Sequence, residues 1–184
     1  ALEAEDIPLS TRRNVREPGD QSPVQGMCLG VTNAWQFGPV MSVATKERPG
    51  LSRLLCDFAR VELPGFEFTS IQVNKDYRAA LHVDGNNRGP SWILGLGNYT
   101  GGELWVHEGS PAGRHACIRD RWFSFDGTDP HCVMPFRGRR YTLVFFTYGH
   151  PMQHTELRPV HIRNLRALGF PLPASASLPP RRAR

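Results

Sequence analysis

The stretch Arg78-Ala-Ala-Leu-His-Val-Asp84 is a mostly apolar run that ends in a histidine and an aspartate two positions apart. On a β-strand, side chains at positions i and i+2 leave from the same face, so His82 and Asp84 are predicted to point into one cavity. A second strand-like run begins at His131 and extends to Phe136. A histidine beside a solvated aspartate is common, but a further histidine on a separate strand indicates a metal site.

These three residues match the ligand set of one kind of metal centre. Two histidines and one carboxylate on one side of a metal, with the other positions open, form the facial triad of non-haem Fe(II) oxygenases. We therefore predict that His82, Asp84 and His131 bind Fe(II). The remaining histidines form no second triad in the sequence and lie at positions 107, 115, 150, 154 and 161.

From residue 66 onward, the pattern of the chain predicts a mainly β fold. Short apolar segments alternate with Gly, Pro and Asn, and strands are predicted at 68–74, 78–84, 91–99, 102–108, 131–136 and 140–148, with a hairpin at 115–126. Such spacing favours a β-sandwich or barrel. Metal ligands on separate strands narrow this to a double-stranded β-helix, which is a cupin-like jelly roll of two Greek keys.

A few helices and two polar ends are predicted around this jelly-roll core, which spans about 66–148. One helix at 50–60 would place five side chains on one face, namely Leu51, Leu54, Leu55, Phe58 and Ala59. A second helix is predicted at 159–168. Residues 1–26 are predicted to form an extended arm, 27–170 a single domain, and 171–184 a disordered tail rich in Pro and Arg.

Length and composition restrict the class of protein. A chain of 184 residues fits one domain that can bury a core. It contains no run of about 18 apolar residues, so no membrane span is predicted. Residues 1–6 lack the pattern of a signal peptide. The four cysteines are scattered without a C-x-x-C motif, which indicates reduced thiols in an intracellular protein.

The charge is compatible with nucleic-acid binding. The net charge is +5, and 20 of the 22 basic residues are arginines, because only Lys46 and Lys75 are lysines. The planar guanidinium can donate two hydrogen bonds to a phosphate. Three arginines belong to the tail, at 181, 182 and 184, so an ordinary enzyme with a solvated basic tail explains the charge equally well.

Four segments carry a resemblance to a known family: Phe68-Thr-Ser-Ile-Gln-Val-Asn74, Ala80-Leu-His-Val-Asp-Gly-Asn-Asn-Arg-Gly-Pro-Ser91, Gly97-Asn-Tyr-Thr-Gly-Gly-Glu-Leu-Trp105 and residues 131–148. They resemble the TET/J-binding-protein family of Fe(II)- and 2-oxoglutarate-dependent dioxygenases, which oxidise methyl groups on DNA bases. The turn at 101–104 and the histidine–arginine pair are shared with many 2-oxoglutarate oxygenases. The block from Phe68 to Ser91 indicates the narrower family.

The resemblance implies Fe(II) as the metal, 2-oxoglutarate as cosubstrate and O2 as oxidant, with ascorbate as a further reductant to consider. Arg140 lies nine residues after His131, and its guanidinium would bind the far carboxylate of 2-oxoglutarate. Thr142, on the same strand face, would donate a second hydrogen bond. The alternative for Arg140 is a surface charge at a strand end, which fits Arg137 and Arg139 in the adjoining turn better.

The resemblance also implies residues that contact a substrate base. Asn87 lies where the family places a polar side chain against the base edge, although 85–89 would also make a good turn on composition alone. Tyr148 stands where methylcytosine oxidases of the family have a histidine. This difference puts 5-methylcytosine in doubt and leaves thymine, an RNA base or a substrate other than nucleic acid open. Arg88 is the leading candidate for a phosphate contact.

Three functions remain open at this point. The favoured one is oxidation of a base methyl group in DNA or RNA, with DNA preferred, by a monomeric protein in the nucleus. The second keeps the chemistry and changes the substrate to a protein side chain or a small molecule. The third is a catalytically silent jelly roll that binds a partner. Six strand residues are predicted to line the cavity: Trp92, Leu94, Leu96, Phe123, Phe125 and Phe145.

Overall fold

The computed structural model describes residues 1–10, 12, 15–20, 23–34, 38–149 and 157–174. The tail arginines, His150 and His154 lie outside these ranges. The elements are a 3-10 helix at Leu2–Ala4, then β1 (Gln25–Ala34), β2 (Gly38–Met41), α1 (Val43–Glu47), α2 (Pro49–Glu62), β3 (Ser70–Lys75), β4 (Asn87–Leu96), β5 (Tyr99–Gly101), β6 (Leu104–Val106), β7 (Arg114–Ala116), β8 (Phe123–Asp126), β9 (His131–Val133), β10 (Phe136–Gly138), β11 (Tyr141–Tyr148) and α3 (Pro159–Ala167). No helix in the described ranges is long and apolar enough to cross a membrane.

The larger sheet has six strands in the order β2-β1-β3-β11-β4-β8. Strand β11 lies inside it, antiparallel to β3 on one side and to β4 on the other. Tyr141, Leu143 and Phe145 of β11 point into the main hydrophobic core, which α2 and α3 cover. Because the opposite face of β11 is also partly enclosed, the strand is apolar along most of its length.

The second layer consists of short strands, with β7-β6-β9 in one sheet and β10-β5 in another. A smaller hydrophobic cluster contains side chains from both layers, among them Ile93 of β4, Phe125 of β8, and Leu104 and Val106 of β6. Two antiparallel layers around an apolar interior confirm the predicted mainly β, jelly-roll fold class.

The helices at 50–60 and 159–168 are confirmed as α2 and α3, but the buried face of α2 differs from the prediction. Leu54 is 48% exposed, whereas Ser52 and Cys56 are buried beside Leu51 and Leu55. The buried positions follow the spacing i, i+1, i+4, i+5. The helix is therefore turned so that two small side chains, rather than Leu54, meet the sheet.

Two strand predictions were wrong, and two strands were missed. The segment 115–126 is not a hairpin, because β7 pairs with β6 and β8 pairs with β4. Residues 78–84 form no strand beyond a single bridge at His82. Strands β1 and β2 were not predicted at all, although β1 lies between β2 and β3 in the larger sheet.

Candidate metal centre

The structure brings His82, Asp84 and His131 together. One ligand atom from each residue lies within 4.8 Å of the others. The two carboxylate oxygens of Asp84 face different rings: Oδ1 is 3.9 Å from His82 Nε2, and Oδ2 is 3.8 Å from His131 Nε2. Two imidazole nitrogens and a carboxylate therefore surround one point, and this donor set suits Fe(II).

Backbone pairing explains why residues so far apart in the sequence meet. His82 N–H donates to His131 O at 3.0 Å, and His131 N–H donates to His82 O at 2.9 Å. Residues that exchange both hydrogen bonds in an antiparallel pair place their side chains on the same face. Asp84 N–H donates to Gly127 O at 2.8 Å, which holds the carboxylate end of the segment.

Both imidazole rings are oriented by carbonyl oxygens two residues earlier in the chain. The Nδ1 atom of His82 lies 2.7 Å from Ala80 O, and that of His131 lies 2.8 Å from Asp129 O. A carbonyl oxygen only accepts, so each Nδ1 carries the proton and each Nε2 presents its lone pair toward Asp84. Burial, and then the neighbouring His131, lower the pKa of His82, which favours the neutral form that binds metals.

The triad lines a cavity of about 690 Å³ between the two layers. One face of β11 supplies a row of alternate residues to its wall: Arg140, Thr142, Val144, Phe146 and Tyr148. Of the six residues predicted to line the cavity, Phe125 does so. Phe145 packs against Phe68 in the core instead, and Trp92 against Phe66, because both side chains lie on the opposite face of the larger sheet.

Arg140 is a buried cation in this cavity, 2% exposed. Its Nη2 donates to Gly102 O at 3.1 Å, its Nε has no hydrogen-bond partner, and no ion pair to an acidic side chain forms within the described ranges. The rings of Tyr99 and Phe136 lie 5.4 and 5.3 Å from the guanidinium carbon. Burial lowers the pKa of Arg140. A buried charge without a counter-charge is costly, so this arrangement favours an anion from outside the chain.

The Gly101-Gly102 turn makes room for Arg140. Both glycines have positive φ, at +75° and +73°. A Cβ atom on Gly102 would lie 3.0 Å from Arg140 Nε and 3.1 Å from the Cβ of Phe136. The second glycine of the turn therefore allows the backbone to approach the guanidinium and to accept its hydrogen bond.

Thr142 lies beside Arg140 on the cavity face and is 3% exposed. Its Oγ1 accepts a hydrogen bond from Asn74 Nδ2 at 3.1 Å, across the β3–β11 pair. Asn74 Oδ1 in turn accepts from Gln72 Nε2 at 3.0 Å. The hydroxyl proton of Thr142 is thus free to be donated to a second partner in the cavity.

The residues predicted to bind substrate separate into two groups. Asn87 and Tyr148 line the cavity as neighbours in the β4–β11 pair. Asn87 is 7% exposed and donates to Ser91 Oγ at 3.3 Å. The hydroxyl of Tyr148 is buried and has no hydrogen-bond partner among the residues that the structure describes, and burial raises its pKa. Arg88 does not line the cavity, and its Nε donates to Gly149 O at 3.3 Å. Its role as a phosphate contact stays a prediction.

Arg12 and Cys28 are among the cavity residues that were not foreseen. Arg12 donates from Nη2 to Asp84 Oδ1 at 2.6 Å. Cys28 of β1 lines the wall, and burial raises the pKa of its thiol to about 12. The local sequence around these two residues does not mark them as cavity residues. The strand that holds Cys28 was not predicted, and the polar sequence around Arg12 does not indicate which part of the fold it contacts.

Comparisons with known proteins support the fold. No protein-family model and no curated protein matches the sequence. The chain is similar to the crystal structure of an oxidoreductase of the 2OG-Fe(II) oxygenase family from Burkholderia pseudomallei, with a TM-score of 0.56 and 20% identity over 79% of this chain and 76% of that one. It also matches NgTET1 in complex with 5mC DNA (TM-score 0.48, 13% identity, 77% and 69% covered) and OsALKBH1 (0.41, 16%, 67% and 78%). The Burkholderia structure shows that the chain has the fold of that oxygenase.

Proposed function

We propose that this protein is an Fe(II)- and 2-oxoglutarate-dependent dioxygenase. His82, Asp84 and His131 would hold the metal, and Arg140 with Thr142 would hold the cosubstrate. The observation that carries the proposal is the buried guanidinium of Arg140, which lies in the cavity that the triad lines and forms no ion pair with an acidic side chain among the residues that the structure describes. A dicarboxylate offers one carboxylate to the metal and a second to the cation, and the residues for both line this cavity.

The protein's own groups orient and shield the reactants. When bound, Fe(II) supplies the activation of O2, in which 2-oxoglutarate becomes succinate and CO2 while one oxygen atom enters a C–H bond of the substrate. Arg140, whose guanidinium donates to Gly102 O, would bind the far carboxylate of the cosubstrate, and Thr142 offers its hydroxyl proton nearby. The apolar side chains Ile93, Val144 and Phe125 keep part of the wall dry.

For the substrate, we propose a methyl group on a nucleobase in DNA or RNA. The similarity of residues 68–91 to the TET/J-binding-protein family supports this choice. Asn87 and Tyr148 add an amide and a hydroxyl to the cavity wall, and such groups can pair with a base edge. The cavity of about 690 Å³ lies within the range that accommodates small organic ligands.

The alternative substrate classes give different outcomes in the same assay. A hydroxylase of protein side chains or small molecules would need the same triad and Arg140, and would differ only in what reaches the metal. A silent binding module gains nothing from a buried cation without a counter-charge, which lowers stability. Arg140 therefore favours an enzyme over a binding module.

The test is anaerobic binding of Fe(II) and 2-oxoglutarate, followed by addition of O2 and mass spectrometry of the nucleosides. Oligonucleotides that carry 5-methylcytosine or thymine, as DNA and as RNA, would be compared with unmethylated strands. Asp84→Ala is the control that should lose metal-dependent succinate formation. Succinate without any oxidised nucleoside would contradict the base substrate, and no succinate at all would contradict the dioxygenase.

A further inference from the structure

We propose that Arg12 positions Asp84 so that this carboxylate gives one oxygen, not two, to the metal; the inference rests on the proposed function. The Nη2 atom of Arg12 lies 2.6 Å from Asp84 Oδ1, and the two side chains are 34% and 23% exposed. Arg12 also belongs to the wall of the cavity. The contact therefore joins the N-terminal segment directly to the candidate metal centre.

The segment around Arg12 is attached to the fold on both sides. Before it, Pro8 O accepts a hydrogen bond from Gly26 N–H of β1 at 2.9 Å. After it, Val15 O accepts one from Ala80 N–H at 2.9 Å, and the side chain of Val15 is 3% exposed. The carbonyl oxygen of Ala80 also orients the ring of His82. The residue that anchors the N-terminal segment therefore belongs to the same stretch of chain as the metal ligand His82.

The consequence for the metal follows from the two oxygens of Asp84. Arg12 donates to Oδ1, which also lies 3.9 Å from His82 Nε2, whereas Oδ2 lies 3.8 Å from His131 Nε2 and receives no hydrogen bond from Arg12. A carboxylate with both oxygens free can bind a metal through one or both. A second oxygen on the metal would take a position that 2-oxoglutarate or O2 needs. Arg12 thus keeps that position open.

Removing Arg12 should therefore strengthen metal binding and weaken cosubstrate binding. Arg12→Ala frees Asp84 to chelate, and it also removes a positive charge that repels a divalent cation. We expect Mn(II) to bind at least about tenfold tighter, because one positive charge is removed a few ångströms from a divalent cation in water-like surroundings. The bound Mn(II) should carry one fewer water molecule. A residue that only supported the fold would have the opposite effect on metal affinity.

The experiment titrates Mn(II) by electron paramagnetic resonance and counts its bound waters by water-proton relaxation, without turnover. Arg12→Lys keeps the charge and one donor, and should return both values toward the wild type. Arg12→Gln, which loses the charge but keeps a longer side chain, takes the place of Arg12→Ala if that variant does not fold. Arg16→Gln is the matched control, because Arg16 donates to Ser10 O in the same segment, at 3.5 Å. It should leave affinity and water number unchanged.

Failure of this inference and failure of the proposed function give different results in the experiment. If Asp84→Ala abolishes Mn(II) binding while Arg12→Ala weakens it or leaves the water number unchanged, the role of Arg12 is wrong and the metal site stands. If Asp84→Ala binds Mn(II) as tightly as the wild type, the triad is not the metal site, and the proposed function fails together with this inference.

Discussion

Replacing Arg140 with methionine separates two effects of its charge: the stability lost by burying it and the binding of 2-oxoglutarate gained from it. The side chain is buried without an acidic partner in the described ranges, so Arg140→Met should leave the ligand-free protein as stable or more stable. The gain in melting temperature that 2-oxoglutarate gives the metal-loaded protein should disappear. The affinity of the metal-loaded protein for 2-oxoglutarate should fall by at least about 100-fold, which corresponds to the loss of roughly 3 kcal/mol from a buried charge pair.

Arg139→Met is the matched control for Arg140, because Arg139 is the adjacent arginine and is exposed. It should change neither stability nor 2-oxoglutarate affinity measurably. Calorimetry with the Mn(II) form measures both quantities without turnover. Equal losses in the two variants would mean that Arg140 is not the specific partner of the cosubstrate.

Replacing Asn87 tests its proposed contact with the substrate base. Loss of one hydrogen bond to a neutral base edge costs about 1 kcal/mol, so Asn87→Ala should lower kcat/KM for a methylated oligonucleotide roughly fivefold to tenfold. Decarboxylation of 2-oxoglutarate without substrate should be unchanged, because Asn87 bonds to Ser91 and not to Arg140 or Thr142. A parallel loss of both activities would indicate that Asn87 supports the fold rather than the base.

At the level of elements, the turn between β5 and β6 controls the position of Arg140. Gly102→Ala places a Cβ atom 3.0 Å from Arg140 Nε at a φ of +73°. We expect a loss of about 1–2 kcal/mol in the free energy of unfolding, from the left-handed backbone alone, together with weaker 2-oxoglutarate binding. Thermal denaturation and calorimetry give the two values.

Gly109→Ala is the matched control for the turn. Its φ is +75°, nearly that of Gly102, but no atom lies within 4 Å of the added Cβ. The variant should lose a similar amount of stability and should keep its 2-oxoglutarate affinity. If both variants weaken 2-oxoglutarate binding alike, general destabilisation and not displacement of Arg140 is the cause.

The predictable elements were those whose local pattern and tertiary environment agree. Strand β11 is apolar along most of its length, so its run of residues was visible in the sequence. Strand β1 was not, although Met27, Leu29 and Val31 alternate into the core. Gly26 and Gly30 interrupt its pattern, and Gly30 has a φ of +93°, so the strand is stabilised by its neighbours in the sheet rather than by local preference.

Within the candidate site, residues with a characteristic metal-binding chemistry were predictable from the sequence. Residues whose position depends on which face of a strand points into the cavity were not. His82, Asp84 and His131 were found because few other patterns place such ligands two positions apart and on a distant strand. The cavity wall was largely missed because it depends on which face of each strand points inward. Arg12 was missed because a contact between the N-terminal segment and Asp84 is purely tertiary.

For the whole molecule, the net charge bears on the proposed substrate class. The residues proposed to bind the metal and the cosubstrate line the cavity between the two layers. The chain has 22 basic and 17 acidic residues, which gives a net charge of +5. Most of the basic residues are arginines outside the cavity. Such a surplus is useful to an enzyme whose substrate is a polyanion and is of no direct use to one that hydroxylates a neutral peptide.

Salt dependence provides the corresponding prediction. Binding of a methylated duplex to the Mn(II)–2-oxoglutarate form should weaken as salt rises, because each neutralised phosphate releases counterions and contributes about −0.9 to the slope of log K against log salt. Fluorescence anisotropy between low and physiological salt measures this slope. An oligomer of the same bases on an uncharged backbone is the control, and its binding should not depend on salt. Equal behaviour of the two, or no affinity for DNA or RNA at low salt, would favour a hydroxylase of protein side chains or small molecules.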